Sequence, residues 1–160
     1  MDMKKSTKQS IRTLSIITVV LGAILVALTW WNMGVSIWGH RSYGNVVWME
    51  ELKGWQITVI GGRLLTITLL FVLCCIFLSR ILKGLDSGDI FPRSNIALLR
   101  WGALLMFFYG FFWNNIGSVL KGESQLEIDS NTILMPLIAL VFAQLYKMAY
   151  LAAKDSSLAI

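Results

Sequence analysis

The sequence predicts an all-α integral membrane protein, a single domain of four transmembrane helices in an antiparallel helical bundle. Three observations predict it. Of 160 residues, 56% are hydrophobic and only 14% charged, with a mean hydropathy of +0.68, whereas a soluble domain carries roughly 25% charged residues to cover its surface. Four apolar runs, at about residues 14–31, 64–82, 97–120 and 132–153, come close to or exceed the roughly 20 residues that cross a bilayer. Lysine and arginine, finally, gather on one side of the alternating connections, as orientation in a membrane requires.

The first run follows a basic stretch of Lys4, Lys5, Lys8 and Arg12 and stays uncharged from Thr13 to Gly39. A cleavable signal has an apolar region of about 7 to 15 residues. This one is longer and lacks a small-x-small cleavage pattern, so it is read as an uncleaved first anchor ending on the interfacial pair Trp30 and Trp31. A long aromatic connection follows, residues 32–56, with Trp38, Tyr43, Trp48 and Trp55 suited to the lipid interface. The second run starts at Leu64, or at Ile57 if Arg63 is tolerated inside, and Gly61 with Gly62 predicts a break there.

Between the second and third runs, residues 83–95 hold Gly84, Gly88, Asp89, Pro92 and Asn95, which are turn and cap types, with Ser94 or Asn95 placed to cap the third helix. That helix is bracketed by Arg100 with Trp101 and by Trp113. A short acidic connection carries Glu123, Glu127 and Asp129. The fourth run holds Pro136 in its first turn or two, where a proline costs least.

Placing both termini in the cytoplasm puts ten of the fourteen lysines and arginines inside, leaving Arg41, Lys53, Arg63 and Lys121 outside. The net charge of +5 then divides into +6 inside and −1 outside. A pI near 9.4 therefore reflects topology and attraction to anionic lipid, and direct nucleic-acid binding loses its support. The expected location is the inner (plasma) membrane, multi-pass, with the lipid bilayer as the first partner.

Two ionisable residues stand inside or beside the runs. Lys147 lies five or six residues before the expected end of the fourth helix, a depth of about 8 or 9 Å that a lysine can cover by snorkelling; the alternative is a buried pair with Asn114 or Asp89. Arg63 is expected as an anchor at the outer face, or as a contact inside the bundle. On the third helix Gly102, Met106, Gly110, Asn114 and Ser118 recur every four residues, the pattern of a packing seam of small residues, with Ala139, Ala143 and Gln144 on the facing helix. The alternative is a polar pathway through Asn114, Asn115, Ser118 and Gln144.

Catalytic and metal chemistry find little material. No phosphate loop, nucleophile elbow or His-Glu-x-x-His is present, and no aspartate or glutamate falls inside the four runs. A proton-coupled transporter normally needs such a carboxylate. His40 with Glu50 and Glu51 has no diagnostic metal spacing, and the adjacent Cys74 and Cys75 are read as apolar fillers. No cofactor and no enzyme activity is expected; an enzyme acting on lipid through loop carboxylates and His40 ranks last.

The stretch Lys83-Gly84-Leu85-Asp86-Ser87-Gly88-Asp89-Ile90-Phe91-Pro92, then Asn95 and Leu99-Arg100-Trp101-Gly102, resembles the turn between the second and third helices of the bacterial domain of unknown function 2975 family. The resemblance covers nearly the whole chain in length and helix count, and about twenty residues carry the motif. It implies a four-helix inner-membrane protein with no established activity, often encoded beside a small helix-turn-helix regulator of the Cro type. The family's tail carries a glutamate and Leu-Thr-Ile/Val; here the tail has no glutamate and has Ala159 in the threonine's place.

The function expected on these grounds is non-enzymatic: contacts with a membrane or cytoplasmic protein in sensing or regulation, linked to such a regulator. The contact surface is the cytoplasmic turn, with Asp86, Asp89, Phe91, Arg93 and Asn95 as candidate positions beside Arg63 and Lys147. The alternatives are a subunit of an oligomeric transporter or pore, since four helices enclose little space, and a toxin-immunity membrane protein.

Overall fold

Each apolar run forms a helix that outlasts the run itself. The computed structural model describes residues 5–38, 54–87, 91–120 and 125–158, which form α1 (Lys5–Trp38), α2 (Gly54–Ser87), α3 (Ser94–Leu120) and α4 (Ser130–Leu158). All four are long and apolar enough to cross a membrane. At 1.5 Å per residue, α1 and α2, with 34 residues each, are about 51 Å long, well beyond a hydrocarbon core of about 30 Å.

The boundaries depart from expectation in two places. The predicted connection of residues 32–56 shortens from both sides, because α1 continues to Trp38 and α2 begins at Gly54. The break expected at Gly61 and Gly62 is absent: α2 runs through both glycines and carries Arg63 inside the helix. A pure hydropathy count stops at the arginine; the helix does not, because the guanidinium finds a ring to rest on.

Burial among the described residues is inverted relative to a water-soluble core. Eight hydrophobic residues are buried, while more than thirty large ones are exposed. Serine and threonine hydroxyls close on their own helices, as Thr18 donates to the Leu14 carbonyl, Thr66 to Gly62 and Thr68 to Leu64, so these polar groups are satisfied without a neighbouring helix.

The helices approach one another in chain order, α1 on α2, α2 on α3 and α3 on α4, with no backbone approach between α1 and α4 among the described residues. Pairings such as Gln56 with Val119, then Asn95 with Phe77, show α2 and α3 running antiparallel. Asn114 with Thr132, then Asn95 with Tyr146, show the same for α3 and α4.

On α1 the more buried positions up to Met33 are Lys8, Ile11, Ser15, Val19, Gly22, Val26, Thr29 and Met33, spaced by threes and fours as one helix face demands, and Gly34 and Val35 follow. On α4 they are Thr132, Pro136, Ala139, Ala143, Tyr146 and Tyr150, alternating four and three, the seam of a helix that crosses its neighbour at a shallow angle. Pro136 is the seventh residue of α4, beyond the first turn, so its missing N–H removes a bond the helix would otherwise make.

Among the described residues, a glycine lets the next helix come close at each interface. A side chain at Gly22 of α1 would come within 2.9 Å of the Phe71 ring of α2, one at Gly62 of α2 would collide with the Phe112 ring of α3, and one at Gly110 of α3 would meet the Thr132 backbone of α4 at 3.3 Å. Gly61 and Gly102 face open space instead. The predicted seam is therefore real at Gly110 and Asn114 and absent at Gly102, while on the facing helix Ala143 is buried and Gln144 exposed.

Gly62→Leu and Gly110→Leu should each destabilise the protein in detergent by about 1 to 3 kcal/mol through overpacking. Gly61→Ala and Gly102→Ala should leave the melting temperature unchanged or raise it. A Gly110→Leu protein that melts with the wild type would contradict this assignment of the notches.

Candidate functional site

The turn between α2 and α3 is held by residues from three helices. Backbone bonds from the Asn95 N–H to the Pro92 carbonyl (3.0 Å) and from the Ile96 N–H to the Arg93 carbonyl (3.1 Å) start α3. Asn95 does not cap the helix with its side chain, as its residue type suggests. The side chain is fully buried, and its amide donates to the Phe77 carbonyl of α2 (3.4 Å) and to the Tyr146 hydroxyl of α4 (3.3 Å). A carbonyl only accepts, which sets the amide's orientation. Its Oδ1 is buried with no hydrogen-bond partner among the described residues.

Tyr146 is the hub of this end. Phe77 tilts against its ring at a centroid distance of 5.8 Å, and Phe91 meets it edge-on at 5.5 Å, both within the range where aromatic pairs attract. Two of the motif residues, Phe91 and Asn95, thus fasten the turn to α4. Asp86 lies in the last turn of α2, its side chain outside what is described, and Asp89 lies outside the described residues.

Arg93 and Lys147 come together at the same end. With Arg100 they line a groove of about 650 Å³ between α3 and α4, whose other walls are Ile96, Ala97, Trp101 and Leu104. Because Tyr146 meets Asn95, Lys147 stands level with the first turn of α3. α4 continues eleven residues past it to Leu158, and its side chain is exposed in the groove it shares with Arg93 and Arg100. The alternative pairing with Asn114 is excluded by position, since Asn114 donates to Thr132 near the start of α4 (2.8 Å), about 22 Å along that helix from Lys147.

The opposite end is knit by buried amides. Gln56 donates to the Val119 carbonyl (2.8 Å), one of the last-turn acceptors that a helix leaves unpaired. Asn115, also fully buried, donates to the Phe111 and Glu127 carbonyls (2.8 Å each) and accepts the Glu127 N–H (2.7 Å). It thereby pairs both backbone groups of a residue in the connection before α4. Asp129 begins α4 by accepting the Ser130 N–H at 2.7 Å, a favourable place for a carboxylate. Arg63 places its guanidinium over the Trp113 ring of α3 at 4.2 Å, a cation–π contact inside the helix group.

The polar set Asn114, Asn115, Ser118 and Gln144 is not gathered on one face: both asparagines are engaged around the start of α4, while Gln144 is exposed. Cys74 and Cys75 are free thiols on different faces of α2. Cys74 borders an apolar cavity of about 330 Å³ among α2, α3 and α4, onto which Gly102 and Ala139 open; Cys75 borders a groove between α1 and α2 that Arg12 and Lys83 also line. No cluster of three metal-ligating side chains exists among the described residues. His40, Glu50, Glu51, Tyr43, Trp48 and Glu123 lie outside them.

Sequence reasoning missed Tyr146 and Gln56. Tyr146 had a signal, a polar aromatic on the inward stripe of α4; the partners of Gln56 had none, because an amide in a helix does not announce which neighbour it reaches. The chain matches no family model, no curated protein and no solved structure.

Asn115→Ala should cost about 1 to 3 kcal/mol, because it strips both partners from the Glu127 backbone. A double-mutant cycle of Asn95→Ala with Tyr146→Phe should show coupling of about 0.5 to 1.5 kcal/mol in thermal or chemical unfolding; strict additivity would remove the link between turn and α4.

Proposed function

We propose that this chain is a bacterial inner-membrane protein with four membrane-spanning helices and both termini in the cytoplasm, and that it works through contacts with another protein in sensing or regulation, without catalysis of its own. Exposed apolar faces on all four helices suit lipid, and the ten lysines and arginines on the side of the α2–α3 turn suit a cytoplasmic placement of that turn.

The observation that carries the reading is the junction of Phe91 and Asn95 with Tyr146. It makes the position of the turn depend on the position of α4. A partner that reads residues 83–95 from the cytoplasm would therefore read the packing of α4, whose other end is tied to α3 through Asn114 and Thr132, beside the connection that Asn115 of α3 holds at Glu127. The resemblance of the turn to the domain of unknown function 2975 family, with its neighbouring helix-turn-helix regulators, supports a regulatory partner.

Two measurements test this. In a Cys74→Ala/Cys75→Ala background, cysteines at Ser6 and Ser156 should react with a membrane-impermeant maleimide only after the membrane is opened, and one at Gln125 should react in intact cells; the reverse pattern would overturn the orientation. A photocrosslinker at Asp86 in native membranes should give a discrete protein adduct that Asn95→Ala diminishes. Adducts with lipid alone would overturn the partner reading.

A further inference from the structure

We propose that the groove between α3 and α4 at the turn end is a binding site for an anionic phospholipid, whose phosphate rests among Arg93, Arg100 and Lys147 and whose acyl chain follows Trp101 and Leu104. The inference rests on the membrane reading above.

Charge comes first. Three cations line one groove of about 650 Å³, and no acidic residue lines it among the described residues. Arg93 sits in the turn just before α3 and Arg100 in its second turn, and Lys147 joins the same groove from α4. Cations gathered along one groove with no lining carboxylate make a site of positive potential that favours an anion. Arginine and lysine are also the side chains that bind phosphate best, the first through its paired N–H groups and the second as a point charge.

Shape selects a lipid over a free anion. The cations are not at the bottom of a closed polar pit. They line an open cleft in which Ile96 and Ala97 lie between Arg93 and Arg100, and Trp101 and Leu104 continue the wall beyond Arg100, with Trp101 61% exposed and Leu104 45% exposed. From Ser94, the first residue of α3, to Leu104 is about 15 Å along the helix, enough for a headgroup and the upper part of an acyl chain. A polar head over an apolar chain is the chemistry this gradient fits, and basic pockets between helices near the cytoplasmic face are where such headgroups bind.

The test uses the full-length protein in neutral detergent, titrated separately with phosphatidylglycerol, phosphatidylcholine, glycerol phosphate and inorganic phosphate, with bound lipid read by native mass spectrometry. Phosphatidylglycerol should bind saturably and phosphatidylcholine much more weakly. Replacing both Arg100→Gln and Lys147→Gln should weaken the anionic lipid about tenfold or more. Ala97→Glu, which sets a carboxylate in the groove while keeping every cation, should do the same by a separate route. The pair Lys5→Gln and Lys83→Gln, which removes two charges elsewhere, should leave affinity unchanged.

Equal binding of phosphatidylcholine, equal loss in the Lys5/Lys83 control, or undiminished binding in both groove variants would overturn the site. Glycerol phosphate or inorganic phosphate binding as tightly as the lipid would make the occupant a free anion and overturn the lipid assignment. Because detergent-solubilised protein has no sidedness, these outcomes are independent of the maleimide labelling that decides orientation.

Discussion

The structure depends on close approach at three glycines. In a bilayer, burying an apolar side chain against another helix gains little over leaving it in lipid, so helices associate through dispersion contacts and hydrogen bonds that act only at short range. Gly22, Gly62 and Gly110 each open a notch in one helix for a group of the next: Phe71, Phe112 and the Thr132 backbone. These notches, each formed by the earlier helix for the later one, fit packing in chain order. With α1 held to α2 through Gly22 and the Trp30 indole N–H on Thr68 (3.1 Å), it makes no backbone approach to α4 among the described residues.

The polar residues act where the notches bring backbones near. Asn114 donates to the same Thr132 whose backbone fits against Gly110, and the Arg63 guanidinium covers Trp113 beside the pair Gly62 and Phe112. At the other end, Asn95 joins α2, α3 and α4 through two donated bonds. A buried amide with one oxygen unpartnered among the described residues gains little net stability, and the bonds to Phe77 and Tyr146 fix how α2, α3 and α4 meet at this end.

Four helices were legible because hydropathy and length alone separate a bilayer-length run from its connections. The start of α2 was not, since Arg63 counts against a span in any hydropathy sum, while its contact with Trp113 is a property of two helices together. The same limit explains Gly62, whose residue type suggests a break until Phe112 is seen to need the space. Gly110 and Asn114 could be singled out by their four-residue spacing, yet Gly102, on the same spacing, faces a cavity. Periodicity identifies a face but not what fills it. Asn95 was noticed for the wrong reason, as a cap, because local rules describe an asparagine at a helix start and cannot foresee a tyrosine fifty-one residues away. Lys147 stood out as a charge inside an apolar run, but that it shares a groove with Arg93 and Arg100 is a property of two segments together.

The chain-ordered packing is tested most directly by disulfide trapping in a Cys74→Ala/Cys75→Ala background. Cysteine pairs are placed across α1–α2, α2–α3, α3–α4 and α1–α4, and intramolecular bonds are scored on the monomer band. A disulfide needs Cα atoms closer than about 7 Å, so the three adjacent interfaces should each yield bonded pairs and no α1–α4 pair should form within one chain. An efficient intramolecular α1–α4 disulfide would contradict the arrangement and, with it, the role assigned to the three glycines.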